Sequence, residues 1–388
     1  MDEQVRDASR LPASVVWRHA ASALMAAAAS SMMLPLAAAT LAERGEPSSS
    51  IGLFAALPFL VLLAASPIVG SIRRALGRGR CFRAGIGAAF AQMSLFLFAD
   101  GLPAWWAAAL LGGVSAALVW SLTDALVAEN AVPERVGRMT GVYQTLLSAA
   151  LAAGPALPYA FGLAFDAAAV VGAALVLASL LPIATLPTRS IDGDGRADEP
   201  RRAGPLLRTM PWIAAAAAAG GAFETGMNAI GPVYASMLGY GPAEAALVAS
   251  VIGLGGMAVQ YPLGHAADVV PVRALLLSAS LLLLLSGAAL PFVPAAPSLV
   301  WALAAVWGAA GGALYTLVLI RIARDAGRGH VAAAANAALA AYTAGTVLAP
   351  LAGGIALQSG GTAGLSALLC ALAVAVGTAS LARRTDAS

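Results

Sequence analysis

The sequence predicts an all-α polytopic membrane protein, with twelve transmembrane helices in two pseudo-symmetric bundles of six. Three observations predict it. Of its 388 residues 60% are hydrophobic and 11% charged, against about 25% charged in a soluble domain. With a mean hydropathy of +0.83, a soluble fold of this length would expose far too much apolar surface. Apolar runs of about 20 residues, enough to cross roughly 30 Å of hydrocarbon, recur along the whole chain. Finally, the arginines alternate from loop to loop as membrane orientation requires.

The first six spans fall at about 20–41, 51–71, 82–99, 104–127, 138–163 and 166–186. The second six fall at about 211–236, 243–264, 272–293, 298–320, 330–355 and 361–382. The first run is too long for a secretory leader and a second apolar run follows at once, so it reads as a retained helix. With the N-terminus inside, 21 of the 22 basic residues, all of them arginine, lie on the inner side, and Arg44 alone lies outside. Both termini are then cytoplasmic. Trp105, Trp106, Trp212 and Trp301 fall at span ends, where amphipathic rings sit at headgroup level. The net charge of +3 has its explanation in topology, and without a basic stripe interleaved with aromatics nucleic acid is excluded. Cys81 and Cys370 lie too far apart in sequence to suggest a disulfide framework or a metal site.

The one long polar stretch, Pro187–Gly204, mixes Gly, Pro and both signs of charge and reads as a solvated linker. It divides the chain into an N-terminal bundle at 1–187, a cytoplasmic linker at 188–209 and a C-terminal bundle at 210–388. The halves echo each other at an offset near 195: Gly154-Pro155 answers Ala349-Pro350, Trp120 answers Tyr315, and Gly70 answers Gly264. Paired membrane repeats point to a transporter whose substrate site lies between the halves near the midplane.

Two inner loops stand at repeat spacing. "GSIRRALGRGR" holds Gly70, Arg74, Gly77, Arg78 and Arg80; "GHAADVVPVR" holds Gly264, Asp268 and Arg273. Over essentially its whole length the chain resembles the major facilitator superfamily, whose corresponding loops read roughly G-x-x-x-D-R-x-G-R-R/K. The first copy departs from that pattern by carrying Arg74 where the family has aspartate. Glycine permits a tight approach of two helices, and the resemblance implies that the Asp268 carboxylate pairs with arginines or helix N-termini when the inner side closes. The loops are thus read as gate latches, against the plainer reading of ordinary positive-inside loops. A second likeness is to the G-x-x-x-G-P-x-x-G-G pattern of the fifth span in drug/proton antiporters. The fifth span here keeps Gly154-Pro155, and the eleventh reads Gly345, Ala349, Pro350, Gly353, Gly354. It serves either as a helix-bend element or as helix packing alone.

The resemblance further implies that spans one, four, seven and ten line the cavity. Span seven carries Glu224 and Asn228, four residues apart on one helical face. A carboxylate at that depth is costly, and an intramembrane ionisable group is a functional-site hypothesis by default. Span four carries Trp120 and Asp124 at i, i+4; Asp124 either lines the inner cavity or pairs with Arg135 or Arg138. Span ten carries Trp307 and Tyr315, available to an apolar or ring-bearing solute or to core packing. Gln92, Tyr143, Gln144, Asn336 and Tyr342 are further buried polar candidates, read as helix–helix hydrogen bonds.

The function expected is secondary active transport of a small organic solute across a bacterial inner membrane by alternating access. It would be coupled to protons through Glu224 and directed outward, with an apolar, aromatic or cationic substrate. Import of a small metabolite by uniport or symport is the alternative. A polytopic enzyme would need a membrane-depth His/Asp or Ser/His constellation, which the three histidines and sparse acids do not provide. A non-transporting sensor is the remaining class. Partners are the solute, protons and membrane lipid; no cofactor is expected, no P-loop is possible without lysine, and the working unit is a monomer.

Overall fold

A computed structural model describes residues 11–130, 136–192, 211–325 and 331–381. Among them there is no strand, as a bilayer demands of a chain that must satisfy its backbone within each spanning segment. The helices of the first half are α1 (Ala13–Glu43), α2 (Ser48–Leu76), α3 (Arg78–Phe98), α4 (Leu102–Asn130), α5 (Val136–Ala160) and α6 (Phe165–Ala178). In the second half α7 runs Pro211–Gly221, passes through one π-helical turn at Ala222–Gly226, and resumes as Met227–Met237. After it come α8 (Pro242–Val269), α9 (Val272–Ala289) and α10 (Leu299–Asp325). The segment Val331–Leu381 is broken at Gly361, whose φ of 55° and ψ of −142° lie outside any helix, giving α11 (331–360) and α12 (362–381). A Cβ on Gly364 would overlap the Ala356 carbonyl, so the chain folds back at this corner.

Nine segments among the described residues are long and apolar enough to span, and the last of them, 45 residues, holds two crossings. The remaining two crossings are α5, with Pro155 and Pro158 inside it, and the interrupted α7. That is the twelve-helix membrane fold expected.

Contacts gather the chain into two compact units. The first comprises Met1–Met33, Leu60–Gly154 and Leu163–Glu199; the second comprises Leu34–Phe59, Pro155–Gly162 and Pro200–Ser388. In the first, Trp105 is fully buried, stacked on Phe165 at 4.5 Å and edge-on to Phe96 at 5.6 Å. Trp105 is buried because the aromatic ends of α3, α4 and α6 converge there. Gly154 of α5 lies so close to α1 that a Cβ would overlap Ser31 Oγ. This is close packing between small residues.

The second unit is built on two glycine seams. At one, Gly308 of α10 lies against Ile252 and Gly256 of α8, and Gly255 lies against Ala305. At the other, Gly345 of α11 lies against Ala218, and Gly221 of α7 against the Tyr342 carbonyl. Ser48 and Gly52 of α2 cross Pro350 and Gly354 of α11 just as closely, and the Ser49 amide donates to Gln358 Oε1 at 3.1 Å. Without side chains between them, these backbones approach to contact and hold whatever lies along the seam in place.

Candidate functional site

The two seams of the second unit meet at Glu224. It sits in the π-turn of α7, a feature common at functional sites because an extra residue per turn re-aims side chains. Adjacent residues of an α-helix do not face one target, yet Glu224 and Thr225 both reach Tyr342 of α11. The Tyr342 hydroxyl donates to Glu224 Oε2 at 3.0 Å and lies 2.6 Å from Thr225 Oγ1. One turn along α11, Thr346 Oγ1 donates to the Gly221 carbonyl at 3.3 Å. The other carboxyl oxygen, Oε1, lies 3.1 Å from where a Gly256 Cβ would stand and 3.2 Å from the equivalent point at Gly312. Gly256 of α8 and Gly312 of α10 thus lie beside this oxygen. Tyr315 of α10 completes the site, its ring 4.6 Å from that of Tyr342. Glu224, Tyr315 and Tyr342 each keep part of their surface accessible.

The electrostatics are simple. Among the described residues Glu224 interacts with tyrosine hydroxyls and with no basic side chain. A carboxyl so placed has a hydrogen-bond donor on one oxygen and space beside the other. It can bind a proton or the positive end of a solute, with two aromatic rings at hand for the rest of it.

The other predicted residues distribute as follows. Asn228 lies four residues beyond Glu224, and its Oδ1 is buried without a partner among the described residues. Trp307 is fully buried and donates to Ser286 Oγ of α9 at 3.2 Å. Trp120 packs on an apolar cluster formed by Val16, Ala20, Ala27, Val127, Tyr143 and Leu147. Asp124 is exposed and interacts with the Tyr143 hydroxyl, though short of a well-formed hydrogen bond. Of its alternative partners, Arg135 and the side chain of Arg138 lie outside the described residues, as does the side chain of Asn336.

At the loops, Asp268 pairs with Arg324 of α10 at 3.2 Å, both well exposed, while Arg324 also donates to the Ala267 carbonyl. Arg273 donates to the Leu381 carbonyl, and Gly264 has open space around it. In the first copy Arg74 donates to Ser71, and Arg78 grips Glu129 through two bonds at 2.5 and 2.8 Å. Gly77 takes a φ of +84°, turning the chain into α3, where the Gly79 amide donates to Asp192 Oδ1 at 3.0 Å. The loop whose own aspartate is replaced by Arg74 therefore has a carboxylate at its helix N-terminus after all, delivered by the segment after α6. Gly70 has only Arg74 nearby, at 3.8 Å. Of the helix-bend residues, Gly154, Gly345 and Gly354 are at close crossings, Pro350 meets Gly52, and Gly353 rests on Ile230; Pro155 lies within α5.

Thr225, Thr346 and the glycines 256, 308, 311 and 312 were not singled out from sequence. The runs "GLGG" and "GAAGG" on neighbouring spans are the signal that points to them.

Comparison with known proteins agrees with this architecture. Residues 20–350 match the family profile described as Major Facilitator Superfamily. A Bacillus subtilis (strain 168) MFS-type transporter of uncharacterised function, YfkF, is 24% identical over 336 residues, covering 84% of this chain and 85% of its own. Among solved structures, a variant of the nucleoside transporter NupG superposes with a TM-score of 0.76 at 12% identity, covering 94% of this chain and 98% of that one. A D-xylose–proton symporter does so at 0.70 and 14%, covering 95% and 96%. With the profile spanning most of its length, the chain belongs to the Major Facilitator Superfamily.

Proposed function

We propose that this membrane transporter is proton-coupled, with Glu224 as its proton-binding group, and that it exports an organic solute bearing a cationic or aromatic moiety. The single observation that supports the reading is the setting of Glu224: an acid in a π-turn, facing tyrosine hydroxyls and glycine and, among the described residues, no basic side chain. A proton and a cationic solute would compete for the same carboxyl, which is the elementary requirement for exchange. Asn228, Tyr315 and Tyr342 would contact the solute, and Asp124 is a second candidate acid. The alternative direction, import of a small metabolite, draws on the nucleoside and D-xylose transporters that share the fold.

A thermal-stabilisation screen of purified protein against aromatic amines, uncharged aromatics, nucleosides and sugars should select the amines. A ligand at about 100 times its Kd adds about 2.7 kcal/mol of stability. The selected amine is then offered to proteoliposomes under a pH difference. One pH unit is worth about 1.4 kcal/mol per proton and sustains about a ten-fold solute gradient. Antiport accumulates the amine on the acidic side and symport on the alkaline side, so the sign of accumulation decides direction. Equal movement with and without the pH difference overturns proton coupling.

We further propose the inner membrane, with both termini and the 188–209 linker in the cytoplasm between halves at 1–187 and 210–388. Reporter fusions after Asp194 and after Ser388 should both read cytoplasmic; a periplasmic signal at either reverses the orientation. The pairing of Asp268 with Arg324 is the local form that the inner latch takes in this reading.

A further inference from the structure

We infer that Thr225, Tyr342 and Thr346 form a reversible hydrogen-bond relay that carries the protonation of Glu224 into the α7–α11 seam. This inference rests on reading Glu224 as the proton site. The geometry that points to it is the convergence of two consecutive π-turn residues on one hydroxyl, with either member of the Thr225–Tyr342 pair able to donate across 2.6 Å.

The protons can be counted. With Glu224 ionised, it accepts from Tyr342, and Tyr342 accepts from Thr225; each hydroxyl gives its one proton and the carboxylate gives none. Adding a proton to Glu224 makes it a donor. Its O–H then points to the Tyr342 oxygen, and Tyr342 turns its own proton to Thr225 Oγ1. Thr225 must in turn place its proton elsewhere. The acceptor at hand is the carbonyl of Gly221, four residues back, the bond that threonine habitually makes within a helix. That carbonyl already accepts Thr346 from α11 at 3.3 Å, while Thr346 has the Tyr342 carbonyl as an alternative at 3.1 Å. Protonation at Glu224 thereby brings a second donor onto the carbonyl that ties α7 to α11. One proton is gained, no covalent bond other than the new O–H is made, and the chain of donors reverses.

The groups facing Glu224 leave no competing explanation for such coupling among the described residues. From α8 it meets Gly256, from α10 Gly312 and Tyr315, and from α11 Tyr342, while Asn228, one turn on along its own helix, carries no charge. The seam itself cannot absorb the change by sliding, because Gly221 and Gly345 already bring the two backbones into contact.

The test needs no substrate, because the proton is the probe. Infrared difference spectra of purified full-length protein are recorded across pH 5–9, the protonated-carboxyl band of Glu224 being the one that Glu224→Gln removes. Thr225→Val is isosteric and leaves Tyr342 without an acceptor in the protonated state alone, so the pH profile of the band should move toward acid. Thr346→Val frees the Gly221 carbonyl for Thr225, so the profile should move toward alkali. A net hydrogen bond of ordinary strength corresponds to shifts of about half to one pH unit. Opposite shifts from two residues that do not touch the carboxyl support the relay; a packing defect would not give them. Wild-type profiles in both variants, or shifts of the same sign, overturn the relay while leaving Glu224 as the proton site. If Glu224→Gln removes no titrating band, both readings are overturned.

Discussion

Glu224→Gln protein is expected to bind its solute and to fail to concentrate it. Glutamine keeps the length of the side chain and can accept the Tyr342 hydrogen bond, so the π-turn, the tyrosines and the glycine walls stay in place. What it loses is the ability to exchange a proton. On the proposed reading a cationic solute and a proton compete for one carboxyl in the wild type, so affinity should fall as pH falls. With glutamine the competition ends and affinity becomes flat with pH, at a weaker value for a cationic solute because the compensating charge is gone. A wild-type protein holding about a ten-fold gradient per pH unit per proton should give way to a variant that only equilibrates solute or exchanges it across its own gradient. Binding isotherms at several pH values and uptake under an imposed pH difference measure the two effects separately. Full gradient-driven accumulation by Glu224→Gln would remove Glu224 from the mechanism and leave Asp124 as the acid to examine.

Gly308→Ala is expected to destabilise the protein although it adds one methyl group and raises helix propensity. A Cβ at position 308 overlaps the Ile252 carbonyl and stands 2.7 Å from its carbon and 3.0 Å from the Gly256 nitrogen. Those are backbone atoms and cannot rotate away, so α8 and α10 must part. Overpacking costs about 1–3 kcal/mol in well-packed cores, occasionally more, and outweighs the gain of about 1 kcal/mol that alanine brings to a helix. Gly87→Ala in α3 is the control: nothing lies within 4 Å of its Cβ position, so propensity acts alone and stability holds or rises. Thermal unfolding in detergent should rank Gly87→Ala at or above wild type and Gly308→Ala well below. Equal melting of the two variants would mean that the α8–α10 seam yields more easily than its geometry implies. Because Gly256 and Gly312 of the same helices wall the Glu224 carboxyl, Gly308→Ala should also lose solute binding.

The membrane fold was legible because its determinants are additive along the chain: run length, arginine placement and repeat spacing each survive ignorance of tertiary contacts. Glu224 was legible for the same reason, since an acid within an apolar run stands out whatever surrounds it. Its pairing with Tyr342 was not. Tyr342 is 118 residues away in sequence, and nothing local distinguishes it from any other tyrosine in a membrane helix. The π-turn is set by how α7 packs on α10 and α11, and "GGAFETGMNAIGP" reads equally well as a plain helix with Glu224 and Asn228 on one face. Trp307 shows a related limit: from sequence a large aromatic on this span suits solute contact or core packing alike, and the structure adds that its indole N–H donates to Ser286. The exchange of aspartate for Arg74 is visible in sequence, whereas the replacement carboxylate, Asp192, enters from 113 residues beyond the amide it meets.

The fold-back at Gly361 bears on how the chain is inserted. From Val331 to Leu381 there is no charged residue, and the two crossings are separated by a short uncharged corner, Gln358 to Thr362, centred on Gly360 and Gly361. Sorting of helices at the translocon depends on charge in the segments that flank them, and here those segments are the arginines before α11 and after α12. Neither helix has a signal of its own at the shared corner. The two crossings are therefore expected to enter the bilayer as one hairpin, oriented by the arginines at its two ends.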